Sequence, residues 1–138
     1  MGRLIAFAVF LLVATAATAA DSDGLCSVLT PGESQVVAKT NEARLNNGAE
    51  VLVVDCRLMA SARRHARRMA NSLRMYHSGD AVSENVAAGQ PTADDAVVTW
   101  LASKGHRANI LNRGYRKIGV AGFIGKDGKA YWVQQFSP

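Results

Sequence analysis

The feature that most restricts the fold of this chain is a change of period. Between Cys56 and Leu73, Met59, Ala62, Ala66, Met69 and Leu73 recur at steps of three and four, the spacing of one buried helical stripe. Late in the chain that period is gone. "KIGVAGFI" and "AYWVQQF" are strand-like runs separated by "GKDGK", with Asp127-Gly128 as a turn signal. Trp132 and Phe136, four residues apart in the second run, are expected on one sheet face, so solvent quenchers should reach the tryptophan fluorescence only to a limited extent.

Two more helices are legible. "TPGE" at 30–33 combines a capping threonine, a first-turn proline and Glu33 in a capping box, and predicts a helix to about Asn46, stopped by Asn47-Gly48. "PTADDAVVTWLASKG" predicts a helix over 91–105, capped by Thr92, with Asp94 and Asp95 in its first turn. Val97, Trp100 and Leu101 form its buried face, and Gly105 is its expected end. "VLVV" at 51–54 reads as an extended link, "SENVAA" as a third strand, and "HRANIL" as a short helix or turn. Helices first and strands late give an α+β fold: a small antiparallel sheet with helices packed on it.

The first twenty residues predict a targeting segment. Arg3 supplies a positive start, "LIAFAVFLLVA" an uncharged apolar run, and Ala17-Thr18-Ala19 an Ala-x-Ala cleavage signal. The run is short for a membrane helix, which needs about 20 apolar residues. One soluble domain over 21–138 is therefore expected, secreted or held in the cell envelope. In an oxidising compartment Cys26 and Cys56 are expected to pair, tying the N-terminal arm to the second helix; the alternative is two buried thiols.

The chain has 16 basic and 11 acidic residues, a net charge of +5, which becomes +4 once Arg3 leaves with the leader. Such mild basicity suits an anionic membrane or cell-wall surface and does not require nucleic acid. Arg57, Arg63, Arg64, Arg67, Arg68 and Arg74 lie mostly off the apolar stripe. They form either an anion-binding surface or an ordinary solvated helix face. His65, beside Ala62 and Met69, reads as a core-flanking histidine.

Several catalytic signatures are absent: no Gly-x-Ser-x-Gly, His-Glu-x-x-His, phosphate-binding glycine loop or Cys-x-x-Cys. His77, Glu84 and His106 all sit at element ends, where distant segments can converge on one cleft. Two imidazoles and a carboxylate suit zinc or another divalent metal, with His77 and His106 as ligands. Alternatively Glu84 is a general base and the histidines orient substrate, or the three make separate loop hydrogen bonds.

Read together, "HSGD", "SENVAAG", "VVTWLASKGHRANIL", "YRKIGVAG" and "YWVQQF" resemble the CAP superfamily. That group includes cysteine-rich secretory proteins, insect venom antigen 5 and plant pathogenesis-related group 1 proteins. "VVAKTNEARLNN" and "LMASARRHARRMA" resemble its first two helices, so the likeness runs from about Val36 to Phe136. It implies a three-layer α-β-α sandwich around a small antiparallel sheet, and a cleft commonly carrying two histidines and two glutamates. His77 and His106 match the histidines and Glu84 one glutamate. The second glutamate, three residues after the helix tryptophan in many eukaryotic relatives, is Ser103 here. "WLASKGHRANIL" resembles instead the short, secreted microbial branch. Asn85 is expected to support its loop by local hydrogen bonds, and Tyr76 and Tyr115 either line the cleft or pack beside it.

With one carboxylate missing and no identifiable nucleophile, the sequence favours a monomeric binding module for a lipid, sterol or cell-surface ligand over a metal-assisted hydrolase of peptide or cell-envelope substrate.

Overall fold

The computed structural model describes residues 28–138. The leader and Cys26 lie outside the described residues. Helix α1 spans Pro31–Asn46, strand β1 Val53–Val54, α2 Cys56–Ser72, β2 Ser83–Ala88, α3 Ala93–Ala102, α4 Lys104–Leu111, β3 Lys117–Ile124 and β4 Ala130–Ser137. The strands form one sheet in the order β1-β3-β4-β2. β3–β4 and β2–β4 are antiparallel, whereas the two-residue β1 runs parallel to β3, so the sheet is mixed at that edge.

Side-chain alternation along the strands separates two cores. Ile118, Val120, Trp132, Phe136 and Ala87 face α1 and α3, together with Val36, Val97 and Trp100. Ala121, Tyr131, Val133 and Val86 face α2, with Ala62, Ala66, Met69 and Ala70. The result is an α-β-α sandwich, and Trp132 and Phe136 share a face as the spacing required. At Gly119 α2 comes so close to β3 that a Cβ there would lie 2.2 Å from the Leu58 carbonyl carbon. Only glycine permits that approach.

The capping signals operate as read. Thr30 and Glu33 close a full capping box on α1; at the start of α2 the structure adds a cap that the sequence did not signal, Asp55, which accepts from the N–H groups of Arg57 and Leu58. Thr92 accepts from the Asp95 N–H at the start of α3. The third helix ends earlier than Gly105. Ser103 takes an extended conformation (φ −97°, ψ 127°), closes α3 and opens α4, and Gly105 lies inside the new helix. The stripe of α2 is buried from Met59 to Met69, while Leu73 is half-buried at the left-handed C-cap.

β2 is an edge strand, and two of its outward carbonyls are capped. Trp100 Nε1 of α3 donates to Val86 O at 3.1 Å, and Asn109 Nδ2 of α4 donates to Glu84 O at 3.4 Å. This covers an edge that would otherwise pair with another chain. It also brings the start of α4, with His106, beside the start of β2, with Glu84.

Candidate functional site

Glu84 and Asn85, adjacent on β2, project to opposite faces and hold the two halves of the site. Glu84 is buried on the α2 face. Its Oε1 lies 3.0 Å from His77 Nδ1 and accepts from the Ser78 N–H at 2.8 Å. Its Oε2 accepts from Gln135 Nε2 at 2.8 Å, a contact set by the Glu84–Gln135 register of the β2–β4 ladder. Burial by itself would raise the Glu84 carboxyl, but the Gln135 amide, the Ser78 N–H and His77 outweigh it and hold the group below its ordinary range. An ionised carboxylate can only accept, so His77 Nδ1 donates and Nε2 is left as the acceptor nitrogen. The His77 ring is 63% exposed, against 4% for the Glu84 side chain. The pair is thus a buried anion holding an exposed imidazole in one tautomer.

On the other face, Asn85 Nδ2 donates to His106 O at 3.1 Å and to Gln134 Oε1 at 3.0 Å, while Asn109 Nδ2 donates to Asn85 Oδ1 at 2.9 Å. Gln134 continues the chain to Thr40 Oγ1 at 2.6 Å. Asn85 therefore ties α4 to the sheet and fixes the backbone that carries His106. The His106 imidazole is half-buried, and its Nδ1 has no hydrogen-bond partner among the described residues. Desolvation, with a smaller contribution from the charge His77 carries when protonated, lowers its pKa from the ordinary histidine value.

The structure joins His77 directly to Glu84, whereas His106 is tied to the same strand through its backbone carbonyl, which accepts from Asn85. Ser103 takes no part in these contacts; it is the hinge between α3 and α4, without a side-chain cap bond. Tyr76 packs edge-on against His65 (ring centroids 5.1 Å apart), and Tyr115 stacks on Phe136 at 5.6 Å while its hydroxyl meets Ser83 Oγ.

Sequence reasoning missed two members. His65 is fully buried, its Nε2 2.7 Å from Tyr76 O and 3.9 Å from Glu84 Oε1. Because a carbonyl only accepts, Nε2 carries the proton there. Its helical spacing gave burial but not the neighbour. Gln135 was missed because naming the residue opposite Glu84 requires the strand register, which hydrophobic pattern leaves open.

The donor set fits a resident catalytic zinc poorly. Such a site takes three protein ligands and an open position. His77 Nε2 and the His106 ring are at most two, Ser103 takes no part in their contacts, and Glu84 is engaged on both oxygens. Among the described residues no group of three or more His, Cys, Asp or Glu side chains has metal-binding geometry.

The model of the cysteine-rich secretory protein family, CAP, matches residues 37–136. The chain belongs to the CAP family. It is 33% identical, over 121 residues, to the uncharacterized protein YkwD of Bacillus subtilis strain 168; the match takes in 75% of this chain and 46% of YkwD, so this CAP chain spans less than half of that relative. Solved CAP-fold structures agree. An outer surface protein of Borrelia burgdorferi superposes with a TM-score of 0.69 at 19% identity, over 79% of this chain and 94% of that one. An extracellular protein of Bacillus anthracis containing an SCP domain gives 0.65 at 24% identity, over 79% and 44%. At these identities the structures show the fold alone. Among the described residues of this CAP domain, no helix is long and apolar enough to cross a membrane.

Proposed function

We propose that this CAP domain is an exported binding module that captures a lipid, sterol or cell-surface ligand at the His77–Glu84–His106 cleft. The observation that carries this reading is the commitment of Glu84. Both carboxylate oxygens are hydrogen-bonded within the protein, one to Gln135 and the other to His77 and Ser78. A general base must reach a substrate proton or a water, and this carboxylate is spent on holding His77. What His77 offers a ligand is an exposed imidazole with an acceptor nitrogen, and His106 offers a second imidazole biased toward its neutral form. Such a site recognises a hydroxyl or another donor without specifying a bond to break.

A metal-assisted hydrolase at the same cleft would need a third metal ligand and a carboxylate free to activate water. Export is supported by the leader-like first twenty residues. It is also supported by the two structural relatives, one an outer surface protein and the other an extracellular protein. A Cys26–Cys56 bridge and a monomeric state fit this reading.

The test is incubation with a total lipid extract, repurification and mass spectrometry of bound species, on wild type and on His77→Ala/His106→Ala. A ligand that is retained by wild type and lost from the variant supports the cleft. A wild-type protein that returns empty, or a ligand kept equally by both, contradicts it. Chemically cleaved lipid in the wild-type sample alone would turn the reading toward hydrolysis.

A further inference from the structure

We propose a second binding site, remote in character from the histidine cleft: an arginine-lined groove on α2 that takes a linear, phosphate-bearing polyanion. The groove, about 390 Å³, is lined by Arg63, Arg64, Arg67, Arg68 and Asn71. Arg64, Arg67, Arg68 and Asn71 stand at i, i+3, i+4 and i+7, one face of the helix, and all four are exposed.

The arginines are not equivalent. Arg63 is a fixed wall: it donates to both oxygens of buried Glu33, at 2.8 and 2.7 Å, and to Val28 O at 3.0 Å. Arg67 is positioned by its stack over the Phe123 ring, 5.0 Å from the centroid. Among the described residues, no carboxylate lies within ion-pairing distance of Arg64, Arg67 or Arg68. Three like charges at helical steps of three and four repel one another. An anion laid along the groove relieves that repulsion, and guanidinium forks match phosphate oxygens in bidentate geometry.

The groove's form selects the occupant. Arg64 and Arg68 are one turn apart, a rise of about 6 Å at 1.5 Å per residue. A chain with recurring phosphates can meet both along a trough, which a flat bilayer surface does less well. The lining offers no aromatic face on which bases could stack, because Phe123 is already covered by Arg67, so a nucleic acid would gain only its backbone charge.

Inorganic polyphosphate is the probe, with the full chain and titrations at several salt concentrations. The comparison set is Arg64→Gln/Arg68→Gln, Arg64→Glu/Arg68→Glu, and the control Lys104→Glu/Lys117→Glu, which equals the second variant in net charge. We expect wild type to bind with steep salt dependence. The glutamine pair should flatten the slope of log affinity against log salt by roughly one to two, near 0.7 per lost phosphate contact. The glutamate pair should weaken binding tenfold or more, and the lysine control should change it less than threefold. All substituted positions are exposed, and unchanged circular dichroism identifies folded protein. The proposal is overturned if wild type does not bind polyphosphate, or if the lysine control weakens binding as much as the glutamate pair. It is equally overturned if vesicles containing phosphatidylglycerol capture the protein while polyphosphate neither binds nor competes.

Discussion

Glu84 and Gln135 face each other across the β2–β4 ladder, and Gln135 Nε2 donates to Glu84 Oε2 at 2.8 Å. With the Ser78 N–H and His77, this cross-strand bond holds Glu84 as a buried, oriented anion. Its other oxygen can then fix His77 and close the turn at Ser78. The consequences reach acid stability, ring tautomers and ligand capture.

Acid sensitivity should centre on two glutamates. Glu84 and Glu33 both have carboxyl pKa values lowered from 4.5 in the folded protein. The unfolded chain therefore takes up protons first. The stability these groups contribute is fully present above about 4.5 and is lost as pH falls through their lower folded values. In urea titrations from pH 7 to pH 3, Glu84→Gln should start less stable and show a shallower acid decline than wild type. An identical decline in both proteins would show that Glu84 is not held as an anion.

His106 has its pKa lowered from 6.5 by desolvation, with His77 adding to the effect. The folded state favours the neutral ring, so stability from this group is present above 6.5 and declines as pH falls from there toward the folded value. A histidine-detected NMR titration should place the His106 midpoint below 6.5. A midpoint at or above that value would contradict the half-buried placement.

Gly119 and Gly105 should respond to alanine with opposite signs. A Cβ on Gly119 would sit 2.2 Å from the Leu58 carbonyl carbon and 2.4 Å from its oxygen, whereas one on Gly105 meets nothing within 4 Å. Overpacking of this kind costs about 1–3 kcal/mol. Relief of a glycine in a helix interior gains roughly 0.5–1 kcal/mol, and Gly105, in the first turn of α4, should gain a fraction of that. Thermal melting should therefore fall by several degrees for Gly119→Ala and rise for Gly105→Ala. Equal shifts of one sign would refute the close α2–β3 contact.

Arg44 is fully buried, and its guanidinium donates to four backbone carbonyls, those of Glu50, Ile110, Asn112 and Tyr115. It pins the segment after α4, and so the position of His106, to the end of α1. Arg44→Met leaves those acceptors unpaired and should destabilise the fold by on the order of 3 kcal/mol. Arg44→Lys should recover only part, because a point charge cannot reach all four. A chemical-denaturation midpoint close to wild type for Arg44→Met would show that water replaces the side chain at no cost.

Arg44 also shows where sequence reading stops. The face that α1 buries is Glu33, Val36, Thr40 and Arg44, mostly polar. Hydrophobic period cannot reveal such a face; the capping box and the stop at Asn47 identified the helix instead. In α2, where the buried stripe is Met59, Ala62, Ala66 and Met69, period alone was sufficient. The hairpin and the shared face of Trp132 and Phe136 followed from alternation and the Asp127-Gly128 turn. The break at Ser103 was hidden because a serine in a helix-forming stretch gives no strong stop, while Gly105 gave a false one. At the site, the residue types at 77, 84 and 106 and their places at element ends were visible in the sequence. What Glu84 touches was not, since Gln135 and His65 reach it through strand register and helix packing, which are properties of the folded chain.

The most direct measurement of the central relationship is the ¹⁵N spectrum of the His77 ring at about pH 8, where an ordinary imidazole is neutral. If Glu84 is the fixed anion that aims His77 at the ligand, the proton resides on Nδ1 and Nε2 has the shift of a bare acceptor. In Glu84→Gln that preference should relax toward the mixture of a free imidazole. A wild-type ring protonated on Nε2, or a tautomer ratio that Glu84→Gln leaves unchanged, would contradict the account.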